Sequence, residues 1–147
     1  MSMTGLDSFD TTVQKSNIWL KEILDDRGWD DRHKAYLALR SVLHAIRDRL
    51  TVDEAVHLGA QLPMLLRGMY YEGWNPSKSP LKIRTKEEFL ASIEQKYERA
   101  QPGLEPDEAL TAVLHLLCRK ISDGEMEDVK NSFPADIQEL WPQPSVH

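Results

Sequence analysis

Residues 39–70, LRSVLHAIRDRLTVDEAVHLGAQLPMLLRGMY, and residues 110–141, LTAVLHLLCRKISDGEMEDVKNSFPADIQELW, write one burial plan twice. A shift of 71 residues aligns them without a gap. Leu39, Val42, Leu43 and His44 fall on Leu110, Val113, Leu114 and His115. Ile46, Arg49, Leu50, Thr51 and Glu54 fall on Leu117, Lys120, Ile121, Ser122 and Glu125. Leu58, Leu62, Pro63, Leu66, Met69 and Tyr70 meet Val129, Phe133, Pro134, Ile137, Leu140 and Trp141. The apolar members recur at three- and four-residue steps, which places them on one face of a helix. Thr51 with Glu54, and Ser122 with Glu125, have the spacing of a capping box, in which hydroxyl and carboxylate satisfy reciprocal backbone donors. Pro63 and Pro134 suit a first helical turn and break an interior one.

Outward from this core, the pattern stays helical. Phe9, Val13, Trp19, Leu20, Ile23 and Leu24 predict a first helix stopped by Gly28. Asp30 or Asp31 caps a second, striped by Tyr36, Leu39, Val42, Leu43, Ile46 and Leu50. A third opens at Thr51, and a short fourth runs from Met64 to about Tyr70. Gly73–Arg84, with Pro76 and Pro80, reads as a loop. Thr85–Glu88 is another capping box, ahead of Phe89, Leu90, Ile93 and Tyr97. Gln101-Pro102-Gly103 turns the chain into a helix begun by Pro106. With a one-residue adjustment, Trp19, Leu20 and Ile23 also meet Phe89, Leu90 and Ile93. No strand pattern is present. The expected fold is all-α: a helical bundle of two pseudo-symmetric repeats, 9–74 and 85–141, each of three to four helices, joined by the loop 75–84 in a single domain spanning 1–147. Duplicated units that cannot cover their own stripes pack against each other, so one shared core about a pseudo-twofold axis is expected.

Composition narrows the function classes. At 147 residues, with 41% hydrophobic and 29% charged side chains, the chain can bury a substantial core. A net charge of −6 argues against a phosphate-tracking nucleic-acid binder. Cys118 is the only cysteine, which excludes an internal disulfide and a thiolate-rich metal site. Met1–Asp10 lacks a secretory pattern and no apolar run approaches a membrane span, so a cytoplasmic location is expected.

Few residues carry chemistry. His44 and His115 hold equivalent repeat positions at the edge of their stripes, and each is followed by a matched glutamate, Glu54 or Glu125. Helical metal sites draw ligands from one face, at His i and i+4 or a Glu-x-x-His step, and neither spacing surrounds His44 or His115. The two glutamates are also accounted for locally, as third residues of their boxes. Half-buried structural histidines are therefore the expectation, with His44 and His115 kept as the metal candidates. Asp25, Asp26, Asp30 and Asp31 beside His33 lack the spacing of a calcium loop and read as helix-start acids. Lys78, Lys82, Arg84 and Lys86 form the one basic run, which reads as solvated loop. Cys118 reads as an inert, partly buried thiol. Met64–Trp74 concentrates methionines and aromatics, and Tyr71 and Trp74 have no repeat counterpart. Tyr70, Tyr71 and Trp74 are thus the candidate interaction patch, because aromatics suit interface centres.

The runs LHAIRDRL (43–50), Glu54-Ala55, GAQLP (59–63) and RGMYYEGW (67–74) resemble a bacterial family catalogued as domain of unknown function 2267. Asn75-Pro76, Pro80 and Glu88-Phe89-Leu90 continue the likeness, which extends from about Ile18 to Trp141. In the second half Trp141-Pro142 stands where the first has Tyr70-Tyr71-Glu72-Gly73-Trp74. The resemblance implies a small, all-helical bacterial cytoplasmic protein and brings no catalytic or binding residues with it. The expected function is a non-catalytic protein-interaction or scaffolding module, acting on an unknown partner protein or on itself as a homodimer. A binder of a small apolar ligand between the halves is the alternative, and a metal-assisted hydrolase at His44 or His115 ranks last. No cofactor, nucleic acid or membrane is expected.

Overall fold

The computed structural model describes residues 3–142, so the outer ends of the expected 1–147 domain, residues 1–2 and 143–147, lie outside the described residues. The first four helices are α1 (Asp7–Arg27), α2 (Arg32–Arg49), α3 (Val52–Gly59) and α4 (Met64–Tyr71). A 3-10 turn, Pro76–Lys78, follows, and then α5 (Lys86–Tyr97), α6 (Pro106–Lys120), α7 (Asp123–Asn131) and α8 (Ala135–Gln138). The described residues are helix and connecting chain without a strand, so the fold is all-α.

Local chemistry sets the helix limits. Gly28 takes a left-handed φ of 70° and its N–H closes on the Leu24 carbonyl, ending α1 where a side chain would be strained. The Asp31 carboxylate accepts from the His33 and Lys34 amides to start α2. Thr51, Thr85 and Ser122 accept from the amides of Glu54, Glu88 and Glu125 to start α3, α5 and α7. Pro63 and Pro134 immediately precede α4 and α8.

Packing centres on α2. Ala35, Ala38, Leu39, Val42, Leu43, Ala45 and Ile46 are all buried, so this helix has no broad solvent face. It lies against α1, α4, α5 and α6, and its alanines let those neighbours approach. Helix α1 packs on α2, α4 and α6, while α5 packs on α6, α8 and α2; α3 lies against α7. One cluster of buried side chains runs from Trp19 to Trp141 through all of these contacts. Full burial of each large aliphatic side chain in it contributes about 2 kcal/mol.

Several aligned apolar positions have like burial. Val42 and Val113, Leu43 and Leu114, Leu58 and Val129, and Leu66 and Ile137 are all buried, as are Trp19 with Phe89 and Ile23 with Ile93. Two expected stripe members are exposed. Phe9 is 51% exposed on the first turn of α1, and Tyr36 is 36% exposed on α2.

Candidate functional site

The first candidate surface is a polar seam between α2 and α4. His44 is buried and its Nε2 donates to the Met69 carbonyl at 2.7 Å. One turn along, Arg47 is buried too, and its Nη1 donates to the carbonyls of Tyr70 (2.7 Å) and Glu72 (2.9 Å). Its charge is balanced by Asp48 at 2.9 Å, which Lys96 also reaches at 3.2 Å. Arg40 pairs with the Glu72 carboxylate at 2.8 Å. Helix α4 ends at Tyr71, so its last carbonyls have no intrahelical donors, and two side chains of α2, His44 and Arg47, supply them. Burial pushes the His44 pKa down to about 4, and the Met69 hydrogen bond opposes that shift only in part. A neutral ring already committed to a carbonyl is structural.

The aromatic segment lies on the same seam. Tyr70 is in the core with its hydroxyl on the Ala55 carbonyl at 2.7 Å, so it is not part of an exposed patch. The Tyr71 ring lies over Gly59, where any Cβ would clash with its hydroxyl, and it sits 5.6 Å from the Trp74 ring. Trp74 Nε1 donates to Ser79 at 3.0 Å. Tyr71 and Trp74 are half-buried, pinned onto the bundle.

His115, at the aligned position to His44, has a different environment. It is part-exposed and its Nδ1 lies 3.0 Å from Asp26 of α1. Asp26 also holds Arg27, Asp25 pairs with Lys21, and Asp31 caps α2, so these three acids each have a local partner. Among the described residues neither His44 nor His115 joins a group of three metal-competent side chains. Lys78, Lys82 and Arg84 are exposed, and the Lys86 amide donates to Asp136. Cys118 is exposed rather than partly buried, since α6 turns it outward beside the buried Leu117.

Such a group forms elsewhere, at the contact of α3 with α7. Ligand atoms of Glu54, His57 and Glu125 all lie within 4.8 Å of one another. Glu54 and Glu125 are the aligned capping-box glutamates, but neither is explained by its box. The Ser122 amide that Glu125 would serve donates instead to Gln61 Oε1 at 3.4 Å. Glu54 Oε2 and Glu125 Oε1 are withdrawn from solvent without a hydrogen-bond partner. Burial and the facing Glu54 raise the Glu125 carboxyl above its ordinary value. The Glu-x-x-His step that is absent around His44 and His115 is present at Glu54–His57.

A second feature is apolar. Leu6, Phe9, Met64 and Leu65 are each about half exposed. Thr12 of α1 accepts the Leu65 amide at 2.8 Å, which ties the start of α4 to the N-terminal turns of α1. Beside this seam is an open groove of about 650 Å³, floored by Trp19 and Leu62 and edged by Asp7, Lys15, Arg67 and Lys120.

Compared with family models, the chain matches that of an uncharacterized conserved protein, DUF2267, over residues 16–140. No curated protein matches it. The chain belongs to the DUF2267 family, and that membership carries no activity with it.

Proposed function

We propose that this DUF2267 chain is a non-catalytic interaction or scaffolding module of the cytoplasm that pairs with a second copy of itself through the α1–α4 seam. The observation that carries the reading is that Leu6 and Phe9 at the start of α1 and Met64 and Leu65 at the start of α4 are each about half exposed, and that the Thr12–Leu65 hydrogen bond joins the two helices. Side chains of this size left in water forgo burial that contributes about 1 kcal/mol or more apiece when completed by a partner. Asp7 and Lys15, both exposed, border the same groove. A twofold pairing sets such opposite charges against each other, because the same patch serves both copies. The patch expected from sequence, Tyr70, Tyr71 and Trp74, shrinks in this reading to a rim, since Tyr70 is interior and the other two are spent on Gly59 and Ser79. A lone free thiol fits a reducing compartment. No described helix is long and apolar enough to cross a membrane.

Sedimentation velocity over a range of concentrations tests this. Wild type is expected to dimerise, Phe9→Ser/Leu65→Ser to remain monomeric, and Tyr71→Ala/Trp74→Ala to dimerise as wild type does. A wild-type monomer at all concentrations, or dimers undisturbed by Phe9→Ser/Leu65→Ser, overturns the reading.

A further inference from the structure

We propose that Glu54, His57 and Glu125, where α3 meets α7, bind one first-row divalent transition cation of the zinc, cobalt or manganese type. The proposal is independent of the α1–α4 seam and rests on different residues. Glu54 and His57 are three residues apart on α3, which puts both on one helix face. Glu125 is brought opposite them by the packing of α7 on α3, and the three ligand atoms fall within 4.8 Å of one another. Metal–ligand bonds of about 2.0–2.2 Å place tetrahedral ligands about 3.3 Å apart, so small side-chain rotations close the set.

Two further observations separate this group from an ordinary cluster of surface acids. It contains an imidazole, and an imidazole with two carboxylates suits zinc, manganese or iron better than magnesium or calcium. The carboxylate oxygens Glu54 Oε2 and Glu125 Oε1 are removed from water with no donor in the protein. Buried acceptors in that condition are destabilising, and the cap that would have occupied Glu125 is supplied by Gln61. Asp128, one turn further along α7, adds negative charge beside Glu125. A cation answers all of these features at once: it satisfies both orphaned oxygens, offsets the repulsion between the carboxylates, and leaves coordination positions for water. A proton shared between the two carboxyls is the competing occupant, and it does not need His57.

Titration of the full chain with cobalt(II), followed by its visible ligand-field absorption and then by zinc competition, distinguishes the two. The expected result is one cobalt per chain with an intense spectrum of low coordination number, displaced by zinc. Affinity is expected to fall at least roughly tenfold in His57→Ala and Glu125→Gln, and to be unchanged in His115→Ala. Because His57 is exposed, His57→Ala keeps the fold and leaves the comparison decisive. A wild-type spectrum that stays that of the hydrated ion, or equal affinity in His57→Ala, overturns the proposal; the shared proton then remains as the occupant.

Discussion

His44 and His115 show how far a single position can diverge when the sequence around it repeats. Both sit on the same face of aligned helices, but His44 finds a main-chain carbonyl and His115 finds a carboxylate. The difference has a pH signature. The folded protein holds His44 at about 4, against about 6.5 for a free imidazole. Between those values the unfolded chain carries a proton that the folded chain does not, so stability is full above about pH 6.5 and declines on acidification toward pH 4. The expected loss is on the order of 3 kcal/mol. Urea midpoints measured from pH 7.5 to 4 should show it, and His44→Gln should remove this part of the slope. An unchanged slope in His44→Gln would place the acid sensitivity elsewhere.

At the scale of elements, short helices depend most on their ends. Helices α3 and α7 span only Val52–Gly59 and Asp123–Asn131, too short to persist without tertiary support. Each begins with one hydroxyl cap, Thr51 to the Glu54 amide and Ser122 to the Glu125 amide, both at 3.2 Å. Neither glutamate carboxylate completes the box: Glu54 Oε2 and Glu125 Oε1 remain unpartnered. The hydroxyl therefore carries the cap alone. Thr51→Ala and Ser122→Ala should each lower stability by about 1 kcal/mol, measurable by thermal denaturation. Helix α4 is held differently, at its C-terminal end, by the α2 side chains His44 and Arg47. Helix α8 is a single turn whose aligned α6 positions are His115 and Cys118, and those serve Asp26 and solvent instead. The second half therefore lacks the clamp that fixes the aromatic segment of the first.

For the whole molecule the question is whether either half stands alone. Helix α2 is buried by α1 and α4 from its own half and by α5 and α6 from the other. Removing residues 75–147 would take away α5 and α6, two of the four helices that bury α2. We propose that the two halves share one interior, and a chain of residues 1–74 is then expected to show no cooperative urea transition, while the full chain unfolds in one step. Leu43→Ala and Leu114→Ala in the full chain should each cost about 2–5 kcal/mol and shift that single transition. Two separable transitions, or a folded 1–74 fragment, would count against a common core.

What could be read from sequence was whatever neighbours three or four residues apart decide. The stripe of Leu39, Val42, Leu43 and Ile46, the stops at Gly28 and Pro63, and the hydroxyl caps at Thr51, Thr85 and Ser122 are interactions within one or two helical turns, and spacing alone specifies them. Other features exist only because distant segments are pressed together. Packing of α3 on α7 sets Glu125 against Glu54 and His57, and Gln61 takes the amide that local pattern had assigned to Glu125. Packing of α4 on α2 draws Tyr70 into the core, while Phe9, on the first turn of α1, stays exposed. Helix periodicity fixes which face of an element is apolar, but a polar side chain at the edge of that face takes its partner from whichever helix arrives beside it. That choice belongs to the tertiary structure, because it is made between residues that the chain itself keeps far apart.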